Sequence, residues 1–246
     1  MTDEKDNKDE PKKETSRAEF ASILVHQLRT PLTGIKWTLS GLMRGDLGPI
    51  NEEQKKFLER CYEDNDRVIS IVNDILSLDR LKTGKFQYSY VETQVIDLIE
   101  SIVTSFKPLA DRNGISLVFE KDGLSLPLLI VDPNKIHTVL QNLIENAVTY
   151  SKSGTTIKVE LTSQKDELVV AVSDQGIGIP KGEQSKIFTE FFRATNAIHQ
   201  RRDGIGLGLF IVKNVVEGQG GRVWFETEEG KGTTFFFTVP TNKMPS

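Results

Sequence analysis

The feature that most constrains the fold is a change in hydrophobic spacing near residue 85. From residue 18 to residue 84, apolar side chains recur at steps of three and four, as they do in long amphipathic helices. The first stripe comprises Phe20, Leu24, Leu28, Leu32, Ile35, Leu39 and Leu42. The second comprises Leu58, Cys61, Asn65, Val68, Val72 and Ile75. The second has coiled-coil spacing with one polar interruption, Asn65, so the sequence predicts a hairpin of two long helices.

Local signals mark the ends of these helices. Residues 45–49 (Gly-Asp-Leu-Gly-Pro) break the pattern, and Asn51 with Gln54 three positions later forms a capping-box start. Gly84 suits the C-terminal cap of the second helix. Because an isolated hairpin leaves much apolar surface uncovered, we expect it to dimerise into a four-helix bundle. Packing against the rest of the same chain is the alternative.

Beyond residue 86 the pattern becomes mixed α/β. Helices are predicted at Val95–Arg112, Pro133–Tyr150 and Gly208–Glu217. Strands are predicted at Ile115–Glu120, Leu128–Val131, Thr155–Thr162, Leu168–Ser173, Arg222–Glu228 and Thr233–Val239. Residues 175–206 are rich in glycine and polar residues and too long for a plain connection, which is typical of a functional loop.

Composition excludes several classes of protein. The single cysteine among 246 residues excludes an intramolecular disulfide framework and a cysteine-based metal site. A net charge of −4 argues against a dedicated nucleic-acid binder. Residues 1–17 carry eleven charges and no aromatic residue, which predicts a solvated tail or the end of a longer helix. No apolar run approaches a membrane span, so we expect a cytoplasmic chain, although a parent protein could be membrane-anchored.

Two asparagines are the first candidates for chemistry. Asn142 and Asn146 lie one turn apart on the predicted helix 133–150, and asparagine is a poor residue for a helix interior. Their amide oxygens could face a metal-bound polyphosphate, and Asn146 is the candidate ligand for Mg²⁺, which accepts neutral oxygen ligands. A solvated polar face is the alternative.

The second candidate is Asp174, which follows an apolar strand and precedes Gly176 and Gly178. A carboxylate at a strand end can accept a hydrogen bond from an exocyclic amine such as adenine N6. The glycines allow the backbone to approach a base or phosphate closely. A tight turn with an ordinary surface aspartate explains this motif alone about as well.

The third candidate is a glycine-rich segment that leads directly into a helix. Gly204, Gly206 and Gly208 precede Leu209, and backbone amides at a helix N-terminus bind phosphate. The segment is not a P-loop, because no Gly-Lys-Ser/Thr follows. A further glycine pair, Gly230 and Gly232, precedes Thr233.

The order of these motifs, with Phe188, Phe191 and Phe192 between them, resembles the N, G1, F, G2 and G3 boxes of sensor histidine kinases. Residues 25–32 (Val-His-Gln-Leu-Arg-Thr-Pro-Leu) look like their phospho-acceptor H box. The resemblance implies a dimerisation and phosphotransfer domain at 18–85, a linker at 86–92, and at 93–243 an ATP-binding α/β sandwich of the Bergerat type, shared with gyrase, Hsp90 and MutL.

The resemblance also implies an activity. His26 would take the γ-phosphoryl group of ATP, with Mg²⁺, and pass it to an aspartate of a response regulator. Thr30 would place a water for the reverse, phosphatase reaction. The implied nucleotide-binding residues are Asn142, Asn146, Asp174, Gly176, Gly178, Gly204, Gly206, Gly208, Leu209 and Thr233.

Four positions depart from the family pattern: Val25, Gln27, Thr149 and Glu190. Gln27 stands where an acid normally follows the acceptor, and its amide cannot serve as a base, which predicts slow autophosphorylation. Thr149 replaces a common lysine that would reach phosphate. Two alternatives remain: a weak pseudokinase scaffold that binds ATP and a regulator, and an ATPase switch, although Asn142 stands where such ATPases have glutamate.

Overall fold

The computed structural model describes the backbone of residues 10–121, 123–201 and 204–241, with side chains from Gln27 onward. The chain divides into two compact units between Phe86 and Gln87. Within the described ranges, the search for a membrane span finds no helix with the necessary length and apolar character.

The first unit is a hairpin of two helices, α1 (Glu10–Arg44) and α2 (Glu52–Lys82). The predicted capping box is confirmed: the Gln54 amide donates to Asn51 Oδ1 at 2.8 Å, and the Asn51 amide donates to Gln54 Oε1 at 2.9 Å. Gly84, with φ +65°, follows the C-cap. Residues 10–17 are helical and continue α1. Residues 1–9 lie outside the described residues.

Only part of the predicted second stripe is buried inside the hairpin. Val72 and Leu76 are buried together, with Leu32 packed against them. Asn65 is also buried, and its Nδ2 donates to the Leu32 carbonyl oxygen at 3.0 Å. The prediction that these residues form a single surface was therefore wrong. Asn65 and Val72 face α1 of the same chain, whereas three other members of the stripe are exposed. Those exposed members are Cys61, Val68 and Ile75.

The second unit is an α/β domain. Its helices are α3 (Val95–Arg112), α4 (Pro133–Tyr150), α5 (Thr195–Gln200) and α6 (Gly208–Gly218). Its strands are β1 (Val91–Thr93), β2 (Ser116–Glu120), β3 (Leu129–Val131), β4 (Thr156–Gln164), β5 (Glu167–Ser173), β6 (Val223–Glu228) and β7 (Gly232–Pro240). The main sheet has the order β2-β4-β5-β7-β6, with only the β2–β4 pair parallel.

The core lies between this sheet and α3, α4 and α6. Alternate residues of the central strands are fully buried toward the helices, including Val159, Val170 and Phe237. These side chains meet the buried stripes of the helices, such as Leu140 and Leu143 of α4. The prediction of a helical hairpin followed by an α/β domain is thus confirmed.

Three short elements of the second unit were not predicted from the sequence. The three-residue strand β1 pairs with β3 in a separate two-stranded sheet, and the long glycine-rich loop contains a 3-10 helix (Gln184–Lys186) and α5. Most of residues 88–93 had been assigned to the linker. In the structure they hydrogen-bond to the second unit, for example from the Ser89 amide to Asp132 Oδ2 at 2.8 Å.

Candidate functional site

Asp174 is held at the end of β5 by backbone amides. Its Oδ1 accepts hydrogen bonds from the amides of Gly176 at 2.8 Å and Thr233 at 3.2 Å, and its own amide donates to the Thr233 carbonyl at 2.8 Å. Burial raises the pKa of the Asp174 carboxyl to about 6, although these two amide bonds act in the opposite direction. Oδ2 is the oxygen not engaged by those amides, so the carboxylate can accept one further donor.

The two glycines after Asp174 are required by close backbone contacts. A Cβ on Gly176 would lie 2.5 Å from the Tyr150 carbonyl oxygen at the end of α4. Gly178 has φ +62°, and a Cβ there would lie 2.2 Å from the Glu228 carbonyl oxygen. The turn is thereby seated between α4 and the β6–β7 hairpin, which explains its glycines better than an ordinary surface turn does.

The N-terminus of α6 lies beside α4. A Cβ on Gly208 would come within 2.5 Å of Asn142 Oδ1, while Asn142 Nδ2 donates to the Thr138 carbonyl at 2.9 Å. The residue before α6, Leu207, supplies no side-chain cap, and Leu209 is half-buried in the first turn. By helix geometry the first amides of α6 have no intrahelical partner, and the N-cap residue Leu207 does not cap them, which is an arrangement that favours anions.

The glycine-rich segment before α6 packs on the segment that contains Phe191 and Phe192. Gly206, with φ +72°, leaves no room for a Cβ, which would lie 2.6 Å from the Phe192 carbonyl oxygen. Arg193 Nη1 donates to the Gly204 carbonyl at 3.1 Å, and its Nη2 donates to the carbonyls of Ala197 and Arg201. Arg193 thus links both ends of the loop around α5.

Arg201 is one of three arginines that flank the long loop in the sequence, with Arg193 and Arg202, and any one of them could meet a phosphate or belong to a solvated charge run. Arg201 Nη1 donates to Thr149 Oγ1 at 3.1 Å, and Gln200 Nε2 donates to the Thr149 carbonyl at 3.2 Å. Thr149 lies three residues after Asn146 on α4, so a guanidinium lies near the face that carries the Asn146 amide. The sequence carried one signal for a substitute cation, because Thr149 stands where the family commonly has a lysine. Only the fold shows that the Arg201 guanidinium lies beside Thr149.

The second unit therefore brings together the predicted residues of the N, G1, G2 and G3 motifs. The buried Thr233 joins Asp174 to the start of β7, and its Oγ1 lies 2.9 Å from Thr227 Oγ1. The three candidates of the H box lie on α1 of the other unit. Gln27 and Thr30 are exposed there. His26 lies in α1, and its side chain is outside the described residues.

Comparisons with known proteins agree with this division. Residues 16–84 match the His Kinase A (phospho-acceptor) domain, and residues 131–243 match the histidine kinase-, DNA gyrase B- and HSP90-like ATPase family. The sensor histidine kinase WalK of Bacillus subtilis is 32% identical over 240 residues, covering 94% of this chain and 38% of WalK.

Solved structures show the same fold. Full-length ShkA in complex with AMPPNP superposes with a TM-score of 0.69 at 26% identity, covering 93% of this chain and 47% of ShkA. The nucleotide-free catalytic domain of the histidine kinase ThkA gives 0.53 at 28% identity, covering 62% of this chain and 96% of that domain.

The chain belongs to the sensor histidine kinases of two-component systems, and the resemblance read from its motifs is confirmed. It spans less than half the length of WalK and of ShkA.

Proposed function

We propose that this chain is the ATP-dependent kinase core of a two-component sensor, which phosphorylates His26 and transfers the phosphoryl group to an aspartate of a response regulator. The observation that carries the proposal is that one unit contains both a buried carboxylate held by backbone amides and a helix N-terminus that its N-cap side chain does not cap. Asp174 supplies the first and α6 the second. The matched phospho-acceptor family at residues 16–84 supplies the acceptor domain.

In this proposal the adenine amine donates to the carboxylate of Asp174. The amides of Gly176 and Thr233 orient that carboxylate and leave Oδ2 for the base. Gly178 lets this turn pack against the end of β6, since a side chain there would strike the Glu228 carbonyl. Ionised Asp174 accepts from the amine, whereas the protonated acid loses acceptor capacity.

The phosphates would lie at the first turn of α6. The first amides of α6, which the Leu207 side chain does not cap, and the positive end of the helix dipole favour an anion there. Arg201, held against Thr149, supplies a cation on the same side as Asn146. The Asn146 side chain makes no hydrogen bond within the described part of the chain, so its amide oxygen fits a Mg²⁺ that retains several waters. Bound Mg²⁺ would neutralise phosphate charge.

Phosphorylation requires one bond exchange. A ring nitrogen of His26 attacks the γ-phosphorus, the bond from that phosphorus to the β–γ bridging oxygen breaks, and ADP leaves. The imidazolium then loses a proton to water, because the Gln27 amide cannot accept it. Thr30, exposed on α1 one turn after His26, would orient the water of the phosphatase reaction.

The assembly and boundaries are parts of the same proposal. Residues 18–85 form the phosphotransfer domain and residues 93–243 the catalytic domain. Two hairpins pair into a parallel four-helix bundle, which would cover the exposed Val68 and Ile75 of α2. A receiver domain docks on that bundle, and the core works in the cytoplasm, where ATP is supplied.

The decisive test is incubation of the chain with γ-labelled ATP, followed by identification of the labelled residue. We expect an acid-labile, base-stable label on His26. Release of labelled phosphate without protein label would support an ATPase switch instead. Nucleotide binding without either product would support a scaffold.

A further inference from the structure

A buried polar side chain joins the two helices of the hairpin. Asn65 of α2 is only 8% exposed, and its Nδ2 donates to the Leu32 carbonyl oxygen of α1 at 3.0 Å. Leu32 also packs against Val72 and Leu76, so the hydrogen bond lies beside the buried apolar cluster. In a regular helix the Leu32 carbonyl already accepts from the amide four residues later, and Asn65 adds a second donor. A side chain of α2 is thereby fixed to the backbone of α1.

This contact follows directly after a break in the hydrogen bonding of α1. Pro31 lies inside the helix and has no amide proton, so it gives no donor to the Gln27 carbonyl four residues earlier. Helices bend most readily at such positions. Leu32 is the next residue, six positions after His26. Asn65 therefore holds α1 immediately beyond the point at which its own backbone fixes it least.

Two exposed contacts lie on either side of the buried one. Arg29 Nη2 donates to Asn73 Oδ1 at 2.7 Å, and the Lys36 ammonium pairs with Asp66. Arg29, Leu32 and Lys36 share one face of α1, since they are three and four positions apart. Water can replace the partners of exposed groups, whereas a buried amide that moves away from its acceptor is left unsatisfied. The buried bond is therefore the contact that best discriminates between alternative packings of α1.

Apolar packing specifies this arrangement only weakly. In the described part of the hairpin, the cluster between the helices consists of Val72 and Leu76 with Leu32 against it. Small apolar cores accept several packings of similar free energy, whereas one buried asparagine selects a single register at some cost in stability. An alternative packing that leaves the Asn65 amide without its acceptor is disfavoured by about 5- to 150-fold in population.

We propose that Asn65 is a positioning residue for the phosphorylation of His26. By holding the Leu32 carbonyl, it fixes the rotation of α1 about its axis and hence the direction in which the acceptor residue is presented. The inference rests on the proposed kinase function, in which His26 receives the phosphoryl group. Without the hydrogen bond, α1 would exchange among packings of which only a fraction are competent for attack, and the rate would fall by that fraction.

The test compares Asn65→Leu and Asn65→Gln with the parent in the full chain. Single-turnover labelling of His26 at saturating ATP measures the rate, calorimetry measures ATP affinity, and thermal unfolding measures stability. We expect Asn65→Leu to lose about two- to ten-fold in rate with unchanged affinity. Its melting temperature should equal or exceed that of the parent, because leucine suits a buried position and the Leu32 carbonyl keeps its helical donor. Asn65→Gln retains an amide donor and should recover most of the rate.

A second asparagine of α2 provides the matched control. Asn73→Leu removes the exposed hydrogen bond to Arg29 and should change the rate by less than about two-fold, since water replaces that partner. An unchanged rate in Asn65→Leu would overturn the proposal. So would a loss of rate in that variant accompanied by a lower melting temperature, because a purely structural role predicts that both fall together.

The side-chain amide of Asn65 separates failure of this inference from failure of the kinase proposal. If the parent takes up no label on His26, the kinase proposal fails, and the hold of Asn65 on α1 is measured by NMR instead. The Nδ2 protons, assigned by their absence from Asn65→Leu, should exchange slowly with solvent in the parent. The backbone resonances around Leu32 should shift or broaden in Asn65→Leu. Fast exchange in the parent would show that the bond is not formed, and the inference alone would fail.

Discussion

The two units of this chain bury their apolar surface to very different degrees. In the α/β unit, the inward-facing residues of the central strands and of α3, α4 and α6 are almost completely buried. In the hairpin, the buried apolar residues are Val72, Leu76 and Leu78, counted over the described side chains. Seven of the eleven exposed large apolar residues in the described ranges belong to the hairpin. The α/β unit therefore buries its own hydrophobic core, whereas the hairpin leaves much of its apolar surface exposed.

The exposed residues of the hairpin keep a regular spacing. Cys61, Val68 and Ile75 follow one another at seven-residue intervals on α2, and Leu28 and Ile35 do so on α1. A seven-residue apolar repeat on an exposed helix face is the pattern of a coiled-coil seam. One continuous stripe in the sequence therefore supplies two surfaces: one closes the hairpin, and the other is exposed in this chain.

The largest expected effect separates the two units by function. His26→Ala should abolish phosphoryl incorporation from labelled ATP and leave nucleotide affinity nearly unchanged, because the proposed acceptor and the proposed nucleotide site belong to different units. Labelling and calorimetry on the same preparation measure both quantities. Label that persists in this variant would disprove the acceptor assignment.

The next effect concerns the exposed seam. Val68→Glu with Ile75→Glu should weaken dimerisation by about 10⁴-fold, since four apolar side chains at roughly 1.5 kcal/mol each leave the interface. Sedimentation across a concentration series measures the constant. Leu47→Glu is the matched control, because Leu47 is 83% exposed in the connection between the helices. A monomeric parent at tens of micromolar would contradict the dimer.

A smaller effect is expected at Gln27. Gln27→Glu places a base beside His26, and general-base assistance contributes about 10²–10⁴-fold. The single-turnover rate at saturating ATP should rise toward that range, with little change in ATP affinity. The gain should shrink above about pH 8, where hydroxide competes as base. A flat response from pH 6 to pH 9 would mean that domain docking limits the rate.

The smallest effects are expected in the α/β unit, at Asp174. Its folded pKa of about 6 exceeds its ordinary value of 3.8, so its contribution to stability is fully present below about pH 4 and lost as pH rises through 6. At pH 7 the ionised carboxylate lowers the free energy of unfolding by up to about 3 kcal/mol.

Asp174→Asn should therefore raise the melting temperature at pH 7 while it weakens ATP binding by roughly 10- to 100-fold. The gain in stability should disappear near pH 4. ATP affinity of the parent should fall as pH drops below 6. A variant that melts lower than the parent at pH 7 would show that the carboxylate is not destabilising.

Capping signals in the sequence determined the residue at which several helices begin. Pro133 at the first turn and Asp132 as N-cap define the start of α4, and Asn51 with Gln54 defines the start of α2. These signals act within one turn, so a single sequence carries them completely. The order of the glycine motifs likewise indicated the family, and Gly176, Gly178, Gly206 and Gly232 each mark a close backbone approach that the fold contains.

Tertiary structure decided what depends on distant partners. β1 has only three residues and exists because β3 pairs with it. Asn65 was expected at the seam, but the Leu32 carbonyl, 33 positions away, accepts its amide inside the hairpin. Arg201 lies 52 positions from Thr149, and no periodicity joins them. Such contacts arise only when the core brings remote segments together, because side-chain hydrogen bonds act over about 3 Å and leave no repeating signal along the chain.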